Sequence, residues 1–541
     1  MKMGLRPAIK YEGKVFVGDR TDHHETMAAR YGIPAPESAR GFSPDGKLFL
    51  DRHKAVGWVK YNEPKIFGKL IGLVTPDGMH SEHYAEAKGI IQVESQNDKN
   101  KGSKQTAATD QKGESAPPTS AINPQDAKLN EKTAIVFDRG GLYLYCAEKL
   151  AEKYKKVMYY LAEADAYPSS QKAKIGDGLR NIERIHDFWT HIDEADIVYF
   201  FDCYDGELQH WLRNKGYTVF GSGRGEQVEI DKIRFLELLE ELNLPCAETQ
   251  LCEGLEELQT YLETCKDTVW LKNLHRGDFE TRKFKNMDQI EPFINDLKKR
   301  LGTAADDVDI LVQSKIDSVC EVGYDGFCIN GEFTSNCITG YEIKDKGFVG
   351  KISKETPKIL DDINKAFSST FKELGYNGNY STEIRVTKKG EPYYIDATCR
   401  VPSPPGELMC EIYENWAEAT WLIAHNMVPE LKPLGKFGAV IILTSAWHNE
   451  HELCVQFPEK IKQFVKLKNH TKDGKSYYCI PNGNGEFFGA VIAWGDTLKE
   501  ATDKCLEYAE QVEADECEYD SNLFDTCDKQ IEAGKKYVGT F

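Results

Sequence analysis

The chain has 541 residues, 40% hydrophobic and 29% charged, which is the composition of a soluble globular protein too long for one core and suggests three or four domains. Its 68 Lys and Arg against 87 Asp and Glu give a formal charge of −19, which argues against a nucleic-acid backbone as the main partner but allows an anion in a local basic pocket. The longest apolar stretch, around residues 437–447, is far too short to span a bilayer, and residues 1–7 lack the apolar core of a signal peptide.

Residues 1–91 form a separate N-terminal module with turn signals at Gly13, Pro34, residues 43–46 and residues 76–78. It holds five of the thirteen histidines, four of them in the groups Asp22, His23, His24, Glu25 and His80, Glu82, His83. These are suitable metal ligands, but adjacent histidines point apart on a helix or a strand, and the role of the module stays open. Residues 92–131 are rich in Gln, Asn, Lys, Ser, Thr and Pro and read as a flexible linker, because they offer little apolar surface to offset ordering entropy.

Residues 132–224 alternate strand and helix. Strands are predicted at 133–138, 157–161, 197–201 and 218–220, and a helix carries Leu142, Cys146, Leu150 and Tyr154 on one stripe. That alternation predicts a parallel, doubly wound sheet with ligands at the strand C-termini. Asp138, Arg139, Gly140, Asp202 and Gly206 are the resulting candidate substrate contacts, although the glycines read equally well as turn residues. Gly221, Gly223 and Gly225 form a connector rather than a dinucleotide site, because no strand-borne acid follows about twenty residues on.

Residues 225–435 change character. A helix at 231–242 has Ile233, Leu236, Leu239 and Leu242 on one face and begins with Lys232. A helix at 255–265 and a strand ending at Lys272 precede a polar loop at 275–281 that contains Arg276 and Thr281. The strand 309–313 runs into Ser314, Lys315 and Ile316, and a hairpin around residues 320–331 leads to a helix at 359–374. Residues 436–541 read as a small α+β module.

Residues 380–400 predict two short strands around a turn at Lys389 and Gly390, with Ile384 and Val386 inward and Tyr393 and Ile395 resuming the alternation. Glu383, Arg385, Asp396, Thr398 and Arg400 fall on neighbouring positions, because side chains recur on one face every second residue. Two readings stand for this stretch alone: a salt-bridged surface hairpin, or a site for Mg²⁺ with a polyphosphate. The fifteen cysteines include no Cys-x-x-Cys pair and fall mostly in apolar or helical patterns, the usage of reduced thiols in a cytoplasmic protein.

The order Lys232, Lys272, polar loop, Gln313 to Ile316, Glu321, Glu383, Asp396, Arg400 resembles the ATP-grasp superfamily, and within it most resembles the glycinamide ribonucleotide synthetases. The resemblance covers residues 132–541. It implies a Rossmann-like first domain, a two-subdomain ATP-grasp fold and a small C-terminal α+β domain, the N-terminal module being extra. It further implies a ligase that uses ATP and Mg²⁺ to join a small-molecule carboxylate to an amine through an acyl phosphate, in a monomer or small homo-oligomer.

The resemblance assigns Lys232 and Lys272 to nucleotide phosphates, and Gln313, Lys315 and Ile316 to the connector along the adenine edge. Glu321 matches the ribose-side carboxylate, Glu383 and Asp396 the magnesium ligands, and Arg400 the arginine facing the transferred phosphoryl group. Three departures accompany it. The loop at 275–281 has one glycine, so Arg276 or Thr281 would take over phosphate contacts. The second metal position is Asp396, followed by Thr398 in place of an asparagine. Val401 to Leu408 forms a Pro-rich wall in which Ser403 and Glu407 are candidate substrate contacts. The altered loop also motivates an alternative reading, a catalytically impaired nucleotide-binding or scaffold protein on the same fold.

Overall fold

Strand Thr133–Asp138 is the middle of a five-stranded, all-parallel sheet. The order across it is Ile182–Ile185, Lys156–Leu161, Thr133–Asp138, Ile197–Phe200, Val219–Phe220. Its alternate residues feed two separate cores. Ala134 and Val136 pack with Leu144, Cys146 and Leu150 on one face, while Ile135 and Phe137 pack with Phe188, Phe200 and Leu212 on the other. Burial on both faces is why the central strand reads as an unbroken apolar run. The edge strand Ile182–Ile185 carries Glu183 and Arg184 and lacks that signal.

The computed structural model describes residues 123–163, 171–273, 281–481 and 485–541, together with four short strands nearer the N-terminus. The chain divides into two compact units, Met1–Pro118 and Thr119–Phe541. In the first, strands Arg6–Tyr11, Lys14–Val17, Arg40–Ser43 and Leu50–Asp51 form an antiparallel sheet with Ala8 and Phe42 buried. The two histidine groups of this unit lie outside the described residues.

In the second unit, the described residues begin within the expected linker. Residues 124–126 and 129–131 form 3₁₀ turns, Leu129 is buried, and the Trp421 indole donates to the Pro124 carbonyl at 3.1 Å. The last part of the expected tether is therefore held, because Leu129 has a core to enter.

After the parallel sheet comes a small antiparallel one, ordered Thr249–Glu253, Asp309–Ser314, Val269–Asn273, Arg282–Phe284. One face buries Leu271, Ile310 and Val312 against helices Gly254–Thr264 and Met287–Leu301. Alternation puts Trp270, Lys272 and Gln313 on the opposite face.

The third sheet has ten strands, eight of them in one path from Pro392–Thr398 through Asn377–Thr387, Ser318–Ile329, Cys337–Ile343 and Gly347–Ser353 to Phe437–Ser445, Phe487–Gly495 and Val465–Leu467. Main-chain pairing of Gly347 with Ile441 and Lys351 with Phe437 carries this sheet across residue 435, where the sequence suggested a domain boundary. Helix Lys358–Glu373 packs Leu360, Ile363, Phe367 and Phe371 into the same core as Tyr380, Ile384 and Tyr394.

Helix Lys232–Glu241 differs from its expected stripe. Phe235, Leu238 and Leu239 are buried, whereas Ile233 is 37% exposed, since only one turn-wide seam of this short helix meets the core. All fifteen cysteines are free thiols, eleven of them buried. Among the described residues no helix is long and apolar enough to cross a membrane.

Candidate active site

The hairpin Asn377–Thr387 and Pro392–Thr398 pairs Glu383 directly with Asp396 and Ser381 with Thr398. A bulge follows Glu383, so that Ile384 faces Tyr394. The inward residues of the second strand are therefore Tyr394 and Ala397, not the expected Tyr393 and Ile395. Thr382 anchors the core side by donating to Asn364 Oδ1 at 2.5 Å. The other face carries Ser381, Glu383 and Arg385 beside Asp396 and Thr398.

The adjoining strand Ser318–Ile329 extends that face. Glu321 pairs with Arg385, Gly323 with Glu383 and Asp325 with Ser381. Arg385 Nε donates to Glu321 Oε2 at 2.7 Å, and Ser381 Oγ to Asp325 Oδ1 at 2.6 Å. Glu342 lies close by on the following strand. Burial pushes the Glu383 carboxyl well above the usual range, and Glu321, Glu342 and Asp396 add to it. Burial, then Asp325 and Glu321, push Glu342 up to about 8.

A cation brought to this patch relieves the repulsion, so the donor set fits Mg²⁺, which takes one or two carboxylates and keeps its other positions for water and phosphate. Among the described residues no group of three or more His, Cys, Asp or Glu forms a preassembled cage, which a shared protein–phosphate site does not need.

Two lysines come to the patch from separate elements. Lys232 leads a helix capped by Asp231, whose Oδ1 accepts from Arg234 N at 3.0 Å, and its Nζ donates to Asp396 Oδ1 at 2.5 Å. Lys272 arrives from the open face of the small sheet. Burial lowers its pKa, Asp396 partly opposes this, and Lys232 and Arg385 lower it further. Burial would raise Asp396, but Lys232, Lys272 and Arg400 outweigh it and hold the carboxylate below its ordinary range.

Arg400 follows the hairpin and is fixed by a residue the sequence reading did not single out. Its Nε donates to Glu229 Oε1 at 2.9 Å, and Nη1 lies 3.3 Å from the Tyr143 hydroxyl. Asp202 is 3.9 Å away. The second oxygen of Glu229 accepts from Cys399 N at 2.7 Å. Burial works against the charge of Arg400, yet Glu229, Tyr143 and Asp202 keep it firmly protonated.

A cavity of about 310 Å³ gathers Glu321, Glu383, Asp396, Thr398 and Arg400 against a wall of Pro402, Ser403, Pro404 and Pro405. The peptide bonds before Pro404 and Pro405 are cis. Lys468 Nζ donates to Ser403 Oγ at 2.8 Å, and Ser403 Oγ to Glu407 Oε1 at 2.7 Å. Lys468 is thus a second overlooked member, reaching the wall from the C-terminal module. Glu407 is 1% exposed and does not line the cavity, so its place is behind the wall and not at a substrate.

A wider cleft of about 760 Å³ lies where the small sheet joins the large one, lined by Glu248, Lys315, Ile316, Lys388 and Tyr393. Gln313 turns its amide to its own sheet, donating to Thr249 Oγ1 at 3.1 Å.

The expected contacts at the parallel sheet are not in the acidic cavity. Asp138 is buried and accepts from Gly141 N, Tyr143 N and the Tyr159 hydroxyl at 2.9, 2.9 and 2.8 Å, so it shapes its own loop. Arg139 pairs with Asp205 at 2.6 Å. Gly140 lies in that loop, outside the cavity lining. Thr281 borders strand Arg282–Phe284, and Arg276 lies outside the described residues.

No protein-family model and no curated protein matches the chain. Solved structures do match. Phosphoribosylamine–glycine ligase from Thermotoga maritima has a TM-score of 0.55 at 16% identity, over 72% of this chain and 98% of that one. Biotin carboxylase from Campylobacter jejuni, solved as a β-γ-ATP complex, has a TM-score of 0.53 at 14% identity, over 74% and 100%. The biotin carboxylase domain of Hydrogenobacter thermophilus 2-oxoglutarate carboxylase, solved with MgADP and bicarbonate, has a TM-score of 0.52 at 14% identity, over 75% and 96%. At these identities the likeness is one of fold, and it agrees in fold with the resemblance read from the sequence.

Proposed function

We propose that the chain is an ATP-dependent ligase that joins a carboxylate to an amine through an acyl phosphate, with Mg²⁺ as cofactor and glycinamide ribonucleotide synthetase chemistry as the nearest model. The observation that carries the reading is the Glu383–Asp396 pair with Lys232 at 2.5 Å from Asp396 and Arg400 lining the same cavity.

When bound, Mg²⁺ neutralises phosphate charge and orients the terminal phosphoryl group. The protein's own groups do the rest. Glu383 and Asp396 hold the cation, and Lys232 and Lys272 place point charges on the phosphates. Lys315 and Ile316 border the cleft of about 760 Å³, which would take the base. Arg400, held rigid by Glu229, presents its guanidinium to the carboxylate and the phosphoryl oxygens. Ser403, clamped between Lys468 and Glu407, closes the substrate side. The incoming amine then displaces phosphate from the acyl phosphate to leave the amide.

ADP release screened across amino acids, other carboxylates and amines tests this reading, with Glu383→Ala as blank. ADP formed only with a matched pair supports it, and no Mg·ATP binding by the wild type removes it. One observation favours a second reading, a nucleotide-binding protein without transfer: Lys232 already occupies one oxygen of Asp396. Tight Mg·ATP binding with no turnover on any pair would select that alternative.

A further inference from the structure

Another large cavity lies apart from the acidic hairpin. It measures about 690 Å³ and is walled by helix Leu144–Ala151, the 178–181 loop and the C-terminal module. It shares no lining residue with the reaction cavity. The helix contributes its C-terminal half, Glu148 to Ala151, so the cavity is displaced from the strand C-termini where ligands of parallel sheets bind.

Its charge runs against that of the chain. Lys149, Arg180, Lys460, Lys462, Lys466 and Lys472 line it against four glutamates, an excess of two cations in a protein of net charge −19. Glu411 takes up Lys466 at 2.5 Å and Lys149 at 2.8 Å, and Glu148 lies 3.3 Å from His470. Arg180, Lys460 and Lys462 form no ion pair among the described residues. His470, 1% exposed in the cavity wall, has an Nδ1 with no hydrogen-bond partner among the described residues. Part of the remaining wall is aromatic: Phe457 and Tyr477 both line it and stack at 5.2 Å with 14° between their planes.

We propose that this cavity binds a phosphate ester with a flat, largely apolar body, of the nucleoside monophosphate class, independently of the reaction site. A phosphate dianion matches the two uncompensated cations, and lysine and arginine supply its charge-assisted hydrogen bonds. The Phe457–Tyr477 stack gives the body an apolar wall, and the volume falls in the range that holds a ligand of that size.

Calorimetric titration of the full chain with AMP, and separately with inorganic phosphate, tests the proposal in wild type, in Arg180→Glu/Lys460→Glu and in Lys272→Ala. Both reversed residues are exposed, and an unchanged unliganded melting point confirms that the double variant folds. The expected result is one-to-one AMP binding that weakens about tenfold or more in the double variant and persists in Lys272→Ala, with inorganic phosphate binding more weakly. The proposal is overturned by absence of saturable AMP binding. It is equally overturned if Lys272→Ala abolishes binding while the double variant retains it, which places AMP at the reaction site. Equal affinity for AMP and phosphate would remove the aromatic wall from the recognition.

Discussion

Lys232 Nζ lies 2.5 Å from Asp396 Oδ1, joining the start of one helix to a hairpin strand 164 residues later. The same carboxylate faces Glu383 across the hairpin, so a lysine and a cation compete for it. Glu383→Ala removes the carboxylate that forms no lysine ion pair among the described residues, and ADP release is expected to fall by about 100-fold or more, the scale of losing one preorganised electrostatic group. Lys232→Met is expected to act oppositely on the metal, raising Mg²⁺ affinity by freeing Asp396 while weakening nucleotide binding. Mg²⁺ titrations of nucleotide binding in the two variants separate these effects, and a parallel loss in both would contradict the competition.

Glu229 holds Arg400 Nε, Cys399 N and the Cys203 thiol at 2.9, 2.7 and 3.3 Å. Removing one side of such a buried pair leaves an uncompensated charge, at a cost of about 3–5 kcal/mol. Glu229→Leu is therefore expected to lower the urea midpoint of the unit markedly. Adding Arg400→Met should recover part of that stability and none of the ADP release. If the double variant is no more stable than the single one, the cost lies in the lost backbone bond and not in the stranded guanidinium.

The central strand Thr133–Asp138 was legible because burial on both faces leaves an unbroken apolar run. Ile182–Ile185, at the edge of the same sheet, was not, since Glu183 and Arg184 erase the pattern. Glu383 and Asp396 were legible as neighbours because hairpin register is local. The bulge beside them was not, and it shifts the inward set from Tyr393 and Ile395 to Tyr394 and Ala397.

Glu229 and Lys468 act across 171 and 65 residues of sequence, on Arg400 and Ser403 respectively. Nothing in their own spacing announces a partner that distant. The alternation of Lys466, Lys468 and His470 beside a short strand was the available signal, since cations repeated along a buried strand need counterparts.

Lys468 carries its own consequence for substrate handling. Burial lowers its pKa, with Glu407 opposing, and its ammonium holds Ser403 in the cavity wall. Lys468→Met keeps an unbranched apolar stem and removes the ammonium, which also lies 3.9 Å from the ring centre of Phe487. The variant is expected to bind Mg·ATP like the wild type and to raise KM for the carboxylate or amine about tenfold, the scale of one charge-assisted hydrogen bond. An unchanged KM with a reduced kcat would instead place Lys468 in the chemistry.

Asp325 supplies a pH signature for the floor of the site. Burial raises its carboxyl from 3.8 to about 7, with only the Ser381 hydroxyl opposing. The folded state therefore holds this proton more tightly than the unfolded chain. Its stabilising contribution is complete below the unfolded value, declines as pH rises toward 7, and is absent above that. Asp325→Asn stays neutral at every pH and keeps an acceptor for Ser381. Relative to wild type, its melting point is expected to be unchanged near pH 4 and to rise by a few degrees by pH 8. Asp325 also helps to raise the Glu342 carboxyl, so the difference between the two melting curves reports Asp325 together with its effect on Glu342. A constant difference across that range would mean that the carboxyl is ionised in the fold at neutral pH.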